Sequence, residues 1–427
     1  MNKITILPQR LKGQVIIPPS KSLAHRSIIS AALCRGESII HNIEISKDIE
    51  ATMNIMEDLG GKIKKEKESL KINGENIFKY SKAELNFQCN ESGSTLRFLI
   101  PIALVKEGIY IFHGKGNLGK RPLTPYYDIF KEHNISYIVD KEGLPLRIKG
   151  SLKSGIYKVP GNISSQFISG LLFALPMLKG DSEIRITTPL ESRGYVDMTI
   201  DVLRNFGITI KNCGYEKFLI EGNQSYTPGD FTVEGDYSQG AFYLVAGAIG
   251  NEVVCKDLKK ESLQGDKAIL DILKEMGVTV ELEKDYIKAL PSEIKGIDID
   301  GSQCPDLVPV LAVLSSLAKG TTRIKNVGRL RIKECDRLFA ITRELNKIGG
   351  RIKELEDSLI IEGIGEFRGG TVNSHNDHRI AMALAIAATR AKEPVIIEEP
   401  LAVEKSYPKF FEDYISLGGN IIEFNNR

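Results

Sequence analysis

Leu59-Gly60-Gly61 ends an amphipathic, helix-patterned segment and begins a β-patterned one. Five more tripeptides occupy the same kind of place: His133-Asn134-Ile135, Phe206-Gly207-Ile208, Met276-Gly277-Val278, Ile348-Gly349-Gly350 and Leu417-Gly418-Gly419. Positions 60, 134, 207, 277, 349 and 418 lie 74, 73, 70, 72 and 69 residues apart, and this regular spacing indicates a sixfold internal repeat. Gly suits the position because the residue after a helix often turns left-handed, and Asn is the usual substitute.

Each repeat shows the same order of patterns. A short strand precedes a helix of small residues such as 27–33, and a strand such as 38–42 precedes a second helix. Two strands then close the unit, as in the segments 208–220, 278–290 and 351–361. The sequence therefore predicts an α/β (α+β) fold built from six βαβαββ units. On the repeat alone, a purely structural scaffold remains an alternative.

The sixth repeat is short of one strand, because only 420–424 remain for a strand after Gly418. Met1 to Leu7 forms a spare strand, and we infer that it completes the sixth repeat. The chain must then pass between domains twice, near Pro18-Pro19 and near Pro228-Gly229. We expect one domain at 19–229 and a second at 1–18 with 230–427, three repeats in each. A chain of 427 residues with 42% apolar residues is long enough for two cores.

Composition narrows the class of protein. The 57 basic and 55 acidic residues nearly cancel, which argues against a general nucleic-acid binder. The first residues lack an apolar signal region and no later stretch is apolar enough to cross a bilayer, so we expect a cytoplasmic protein that does not bind membranes. We expect a monomer. The six cysteines lack the paired spacing of zinc or redox motifs, which favours reduced thiols.

Polar clusters recur where the two helices of the repeat begin. Helix N-termini offer unpaired N–H groups and the positive end of the dipole, and they suit phosphate or carboxylate. Ser and Thr there are often plain N-caps, but a basic residue in a first turn opposes the dipole unless an anion binds. The basic residues at these places are Lys21, Arg26, Arg97, Arg121, Lys333, Arg337, Arg379 and Lys405. A ligand with several negative charges is therefore expected.

Asp306 and Glu334 are acidic exceptions within these clusters. A carboxylate among cations can transfer protons, or it can serve as an N-cap or salt-bridge partner, and both interpretations remain open at this point. His375 and His378 have a spacing found in some metal sites, but no third ligand of suitable pattern lies near. The glycines form no dinucleotide or Walker fingerprint. We expect neither a metal nor another cofactor.

Over essentially its whole length, the chain resembles the 5-enolpyruvylshikimate-3-phosphate synthase family. The matching motifs are Pro19-Ser20-Lys21-Ser22 with Arg26, Ser92-Gly93-Ser94 with Arg97, Lys120-Arg121-Pro122, Ser164-Ser165-Gln166, Pro305-Asp306, Lys333-Glu334 with Asp336-Arg337, and Asn376-Asp377-His378-Arg379. An ordered set of this size is highly specific. The resemblance implies a two-domain inside-out barrel of six βαβαββ units.

The resemblance also implies two substrates and their contacts. Shikimate 3-phosphate would bind Lys21, Ser22, Arg26, Ser164, Ser165, Gln166, Ser192, Tyr195, Asp306 and Lys333. Phosphoenolpyruvate would bind Lys21, Gly93, Arg121, Gln166, Arg337, Arg379 and Lys405. Two positions depart from the family, which often has Asn where this chain has Glu91 and Arg329.

The implied reaction is addition and elimination without metal or redox cofactor. The substrate hydroxyl attacks C2 of the enol, C3 gains a proton, and phosphate then leaves. We assign Asp306 as the base on the hydroxyl, with Glu334 and Lys21 handling the enol proton and the developing charge. Because the basic clusters are divided between the domains, we expect closure when shikimate 3-phosphate binds.

Two other functions stay as alternatives. The first is the sister enzyme that transfers enolpyruvyl to UDP-N-acetylglucosamine, which usually has Lys-Asn in place of Lys21-Ser22 and a loop cysteine that residues 111–120 lack. The second is a non-catalytic anion-binding scaffold, against which the presence of Lys21, Asp306 and Glu334 argues.

Overall fold

The computed structural model describes residues 3–79 and 83–424. The strands of the first half are β1 Lys3–Leu7, β2 Lys12–Ile16, β3 Glu37–His41, β4 Lys62–Glu66, β5 Ser69–Asn73, β6 Glu84–Gln88, β7 Gly108–His113, β8 Ser136–Val139, β9 Leu146–Gly150, β10 Ile156–Val159, β11 Ser182–Ile186, β12 Lys211–Cys213 and β13 Lys217–Ile220. The second half contains β14 Asp230–Thr232, β15 Glu252–Lys256, β16 Val280–Leu282, β17 Tyr286–Ala289, β18 Asp298–Asp300, β19 Thr321–Lys325, β20 Arg351–Glu354, β21 Ser358–Glu362, β22 Gly370–Asn373, β23 Val395–Glu398 and β24 Asn420–Phe424.

Helices alternate with these strands. They are α1 Lys21–Leu33, α2 Lys47–Asp58, α3 Gly93–Ala103, α4 Thr124–Glu132, α5 Ser165–Ala174, α6 Arg193–Asn205, α7 Tyr237–Ala248, α8 Ile269–Glu275, α9 Val308–Ser316, α10 Arg337–Lys347, α11 His378–Ala388 and α12 Phe410–Ser416. Short 3-10 helices occupy Leu118–Lys120, Leu175–Met177, Gly265–Ala268, Pro305–Leu307, Gly328–Ile332 and Pro400–Lys405. None of the helices in the described ranges is long and apolar enough to cross a membrane.

The described strands form six four-stranded sheets of one design. In the sheet β6-β7-β9-β8, the first pair is parallel and the other two pairs are antiparallel. The sheet β22-β23-β1-β24 repeats this design with β1 in the third place, between β23 and β24. The inference that the N-terminal strand completes the sixth repeat is therefore confirmed.

Two strands pair away from the repeat to which they belong in sequence. β2 directly precedes α1 but lies parallel to β15, whereas β14 directly precedes α7 but lies parallel to β3. The chain divides into two compact units that respect these pairings: Pro19–Glu234, and the chain up to Pro18 with the chain from Gly235 onward. The second crossing lies after Glu234 instead of the expected Gly229, because the β14–β3 pairing keeps 230–232 in the first unit.

The first helix of each repeat is buried on all sides. Every residue of α7, α9 and α11 is buried, and these three helices pack on one another in the core of one unit. In the other unit, α3 packs on α5 at Gly170, where an added Cβ would lie 2.5 Å from the Arg97 carbonyl oxygen. Small residues permit such close packing, and the second helices α2, α6 and α10 instead bury one face.

The six predicted helix ends all have positive φ. The angles are +111° at Gly60, +55° at Asn134, +81° at Gly207, +91° at Gly277, +98° at Gly349 and +87° at Gly418. The left-handed residue lets the backbone fold back after the helix, as the Ile208 N–H shows by donating to the Leu203 carbonyl. The strand that follows each of these turns is an edge strand of a four-stranded sheet, namely β4, β8, β12, β16, β20 or β24.

Candidate functional site

In the unit Pro19–Glu234, Lys21 is the first residue of α1 and pairs with a carboxylate. Its Nζ lies 2.8 Å from Asp48 Oδ2, and both side chains are largely buried, at 17% and 14% exposure. Asp48 lies in the first turn of α2, so the pair ties together the starts of the two helices of the first repeat. His25 lies one turn further along α1, and burial, with Lys21 and Arg26 nearby, keeps its pKa well below the ordinary value.

Arg26 is buried and held by neutral oxygens. Its Nε donates to Thr199 Oγ1 at 2.8 Å, Nη1 to the Ser22 carbonyl at 2.7 Å and Nη2 to the Tyr195 carbonyl at 3.0 Å. The guanidinium also lies 5.1 Å from the centre of the Phe98 ring. Burial lowers the pKa of Arg26 to about 10, so the charge is held at a cost. The structure thus brings together the predicted site residues Ser22, Arg26 and Tyr195.

A second group surrounds Gln166 at the start of α5. Arg97 Nη1 donates to Gln166 Oε1 at 2.8 Å, and Gln166 Nε2 donates to Ser94 Oγ at 2.9 Å. An added Cβ on Gly93 would lie 2.7 Å from Arg121 Nη1 and 3.6 Å from Gln166 Oε1. The structure therefore brings Gly93, Arg97, Arg121 and Gln166 together, and the space over Gly93 exists because that residue has no side chain.

The predicted serines divide into two kinds. Ser164 caps α5, since its hydroxyl accepts from the Gln166 N–H at 3.3 Å, and Ser165 is a buried residue of the same turn. This is the simple N-cap interpretation. Ser192 precedes α6 at φ +56° without a side-chain cap bond, and Tyr195 lies in the turn that follows. A non-glycine residue with positive φ at a helix start is a strained feature of the kind that clusters at functional sites.

In the other unit, Asp306 lies between cations. Its Oδ1 accepts from Arg337 Nη1 at 2.8 Å, and its Oδ2 accepts from Arg379 Nη2 at 3.0 Å. Lys333 Nζ lies 3.8 Å from Oδ1. Burial raises the pKa of Asp306, but Arg379, Lys333 and Arg337 more than offset this effect and hold the pKa well below its ordinary value. Asp306 is therefore ionised at neutral pH.

Arg337 links three carboxylates. In addition to the bond from its Nη1 to Asp306, Arg337 donates from Nη2 to Glu334 Oε2 at 2.6 Å and from Nε to Asp377 Oδ2 at 2.8 Å. The side chain is 2% exposed. Burial alone would lower the pKa of Arg337, yet these carboxylates, Asp377 first, raise it well above the ordinary value. Asp377 also caps α11 by accepting from the Arg379 N–H at 2.8 Å, which fixes both arginines relative to one carboxylate.

Lys333 and Lys405 complete this group. Burial, and the charges of Arg337 and Arg329, lower the pKa of Lys333 to about 8, although Asp306 opposes the shift. Arg329 donates from Nη2 to the Ser302 carbonyl. Lys405 Nζ donates to the Asn376 carbonyl at 2.7 Å, in the turn before α11. Asp306, Lys333, Glu334, Arg337, Arg379 and Lys405 therefore lie in one region of this unit.

Glu91, the other departure from the family pattern, points at a glycine of the following loop. An added Cβ on Gly116 would lie 2.9 Å from the Glu91 carboxyl carbon. Gly116 has φ +57°, a left-handed conformation that favours glycine. The carboxylate is thus directed at the loop 114–120.

The sequence pattern did not lead to the prediction of two acidic residues that contact or lie near the predicted site residues. Asp48 pairs with Lys21, and Asp266 accepts a hydrogen bond from the Ser238 hydroxyl. Burial raises the pKa of Asp266 to about 6, with a further rise from Asp306 and a reduction from Arg379. Both lie at second-helix starts, in the first and fourth repeats. The repeat is the signal that could have found them, because Arg121 and Lys333 come from the same place in other repeats.

The described residues contain no group of three His, Cys, Asp or Glu side chains placed to hold a metal ion. His375 Nε2 instead lies 2.8 Å from Glu344 Oε1, and His378 is a buried first residue of α11. The chemistry that this arrangement can perform is anion binding together with proton transfer by carboxylates. In Pro19–Glu234 its parts are Lys21 and the buried arginines Arg26, Arg97 and Arg121. In the other unit they are the buried arginines Arg337 and Arg379, the lysines Lys333 and Lys405, and the ionised Asp306.

Comparisons with known proteins agree with this chemistry. Residues 7–414 match the family model of EPSP synthase, 3-phosphoshikimate 1-carboxyvinyltransferase. The protein named 3-phosphoshikimate 1-carboxyvinyltransferase from Clostridium perfringens strain ATCC 13124 is 59% identical over 420 residues, covering 98% of this chain and 99% of the relative.

Solved structures agree as well. EPSP synthase from Acinetobacter baumannii superposes with a TM-score of 0.84 at 28% identity over 100% of both chains. The enolpyruvyl transferase NikO from Streptomyces tendae has a TM-score of 0.81 at 18% identity, over 100% of this chain and 99% of that one, and shows the shared fold. On the family match and the full-length identity, this chain belongs to the EPSP synthase family.

Proposed function

We propose that this chain transfers the enolpyruvyl group of phosphoenolpyruvate to the 5-hydroxyl of shikimate 3-phosphate and releases phosphate. The hydroxyl oxygen bonds to C2 of the enol while C3 takes up a proton, which gives a tetrahedral intermediate. Loss of a proton from C3 and cleavage of the C2–O bond to phosphate then restore the double bond. The observation that carries this assignment is the ionised Asp306 between Arg337 and Arg379, within a chain of this family.

Asp306 is the base that takes the proton of the 5-hydroxyl. With two arginines bonded to it, its low pKa makes it a weak base. Phosphoenolpyruvate brings a carboxylate and a phosphate to Arg337 and Arg379, and these anions share the charge that otherwise stabilises Asp306. The basicity of Asp306 therefore rises when the second substrate is present, which couples proton removal to a complete set of reactants.

Glu334 and Lys21 handle the enol proton and the developing negative charge. Glu334 bonds the same guanidinium as Asp306, so an anion that binds Arg337 also raises the proton affinity of Glu334. Lys21 supplies a cation whose partner Asp48 keeps it fixed, and preorganised charge of this kind stabilises a transition state without reorganisation.

The remaining assignments concern binding. Shikimate 3-phosphate contacts the residues around Arg26 together with Ser164, Ser165, Gln166, Ser192, Asp306 and Lys333. Phosphoenolpyruvate contacts Gly93, Arg121, Gln166, Arg337, Arg379 and Lys405, and Lys21 serves both substrates. Closure on substrate binding stays a prediction, which small-angle scattering tests: an unchanged radius of gyration under saturating shikimate 3-phosphate would contradict it.

The test of function is phosphate release from phosphoenolpyruvate by the purified chain. Shikimate 3-phosphate should support release, and UDP-N-acetylglucosamine should not. Release with the sugar nucleotide alone would assign the sister activity, and release with neither would leave an anion-binding scaffold.

We further propose a monomer that acts in the cytoplasm without binding nucleic acid. The free state of all six cysteines supports this location, since such thiols persist in a reducing compartment. Light scattering and cell fractionation are the corresponding measurements.

A further inference from the structure

Glu344 is a fully buried carboxylate of α10 that no step of the proposed reaction uses. Its Oε1 lies 2.8 Å from His375 Nε2, and its Oε2 accepts from Lys347 Nζ at 2.7 Å and from the Asn373 N–H at 2.9 Å. Burial raises the pKa of Glu344, but these hydrogen bonds, His375 first, lower it below the ordinary value. A buried charge that is this completely bonded fixes the groups around it.

The groups fixed by Glu344 belong to the turn between β22 and α11. The Asn373 N–H bonds Glu344 directly, and Asn373 Oδ1 accepts from the His375 N–H at 2.6 Å. The Asn376 N–H donates to Ser374 Oγ at 3.2 Å. His375 and Asn376 have φ of +51° and +54°, a conformation that non-glycine residues seldom adopt unless surrounding contacts hold them.

This turn carries groups of the site. The Asn376 carbonyl accepts from Lys405 Nζ at 2.7 Å. The next residue, Asp377, caps α11 and bonds Arg337. A rotation of the strained turn would therefore move the carbonyl on which Lys405 rests, while α11 itself is held by its own packing in the core.

We propose that Glu344 and His375 are positioning residues, which hold the turn so that the Asn376 carbonyl keeps Lys405 in place for phosphoenolpyruvate. This inference rests on the proposed function of Lys405. Glu344 bonds the turn at two points, through the Asn373 N–H and the His375 ring, and so limits its rotation. Neither Glu344 nor His375 touches substrate in this scheme.

The first test is His375→Ala, because this side chain is 25% exposed and its loss leaves the buried Glu344 with its other partners. The KM for phosphoenolpyruvate should rise about tenfold, as expected for a small displacement of a binding group. The KM for shikimate 3-phosphate should stay within about twofold. His375→Gln keeps a donor that can reach Glu344 and should recover most of the loss.

The matched control is His41→Ala. His41 also faces a carboxylate, Asp230 at 3.8 Å, but on an exposed surface at 45% exposure. This variant should leave both KM values unchanged. Equal rises in the two KM values for His375→Ala, or no recovery in His375→Gln, would overturn the proposal.

The second test is a double-mutant cycle with Lys405→Ala. If His375 acts through Lys405, the double variant should bind phosphoenolpyruvate no more weakly than Lys405→Ala alone. A role in general folding would instead add its full effect to that of Lys405→Ala, and this result would refute the positioning role. If Lys405→Ala itself left the KM for phosphoenolpyruvate unchanged, the assignment of Lys405 under the proposed function would fail instead.

Discussion

The two units hold their buried arginines in opposite ways. In Pro19–Glu234, the three bonds from Arg26 to described residues go to a hydroxyl and two carbonyl groups. In the other unit, Arg337 bonds the carboxylates of Asp306, Glu334 and Asp377. Both side chains are 2% exposed, so burial does not distinguish them.

The two arrangements change the pKa of the buried arginine in opposite directions. Burial lowers the pKa of Arg26 to about 10, whereas the carboxylates raise the pKa of Arg337 well above its ordinary value. A cation held by neutral groups keeps its attraction for an incoming anion. A cation held by carboxylates has its charge balanced, and an anion that competes for it changes the proton affinity of those carboxylates. The first arrangement suits binding and the second suits coupled proton transfer.

The largest expected effect comes from Lys21→Ala, because Lys21 is the cation assigned to both substrates. Turnover should fall on the order of 10^3-fold, as for loss of a preorganised charge in a transition state. The measurement is phosphate release under saturating substrates. Lys71→Ala is the control, since Lys71 pairs with Glu37 at 2.7 Å on the surface and should retain full activity. Near-normal turnover in Lys21→Ala would defeat the assignment.

Next in size is the loss of stability when either arginine is replaced by methionine. Arg337→Met leaves three carboxylates without their shared cation and should cost about 3–5 kcal/mol of unfolding free energy. Arg26→Met leaves neutral acceptors and should cost about 1–3 kcal/mol. Urea unfolding of both variants measures the difference. Equal costs would mean that the carboxylates around Arg337 gain other partners, and the contrast between the units would then lose its basis.

Asp306→Asn distinguishes a role of Asp306 in proton transfer from a role in substrate binding. The amide keeps the shape but cannot accept the hydroxyl proton, so kcat should fall about 10^2-fold while the KM for shikimate 3-phosphate changes little. Steady-state kinetics with each substrate varied provides the test. Asp298→Asn, which alters an exposed pair with Lys325, should leave both constants alone. Equal losses in affinity and rate would indicate that Asp306 only positions its neighbours.

The smallest effect is a dependence on pH that follows from Lys333. Its pKa near 8 means that the free enzyme loses this cation as pH rises through about 8. The kcat/KM for shikimate 3-phosphate should then fall, by up to about tenfold for each further pH unit. Lys333→Arg keeps its charge over this range and should flatten the profile. An identical fall in the arginine variant would assign the titration to another group.

Features encoded within one repeat were predictable, and features that join distant segments were not. The six left-handed helix ends depend on a residue and its own helix, and all six were confirmed. The second crossing was misplaced because β14 pairs with β3, a strand far away along the chain. The basic residues proposed for the site were predicted from their places in the repeat. Their partners, such as Thr199 for Arg26 or Asp377 for Arg337, were not, because they lie on other repeats.

β2 and β14 each pair with a strand far away along the chain, and these pairings affect the order in which the protein can fold during synthesis. β1 and β2 leave the ribosome before the other described strands, yet β2 pairs with β15 and β1 pairs with β23 and β24. The described strands of the unit Pro19–Glu234 pair with one another within that single segment, so this unit can fold before the rest of the chain is made. β2 must wait for β15, and β1 for β23 and β24, so both strands stay unpaired while the unit Pro19–Glu234 is made, and chaperones that shield extended segments would bind there.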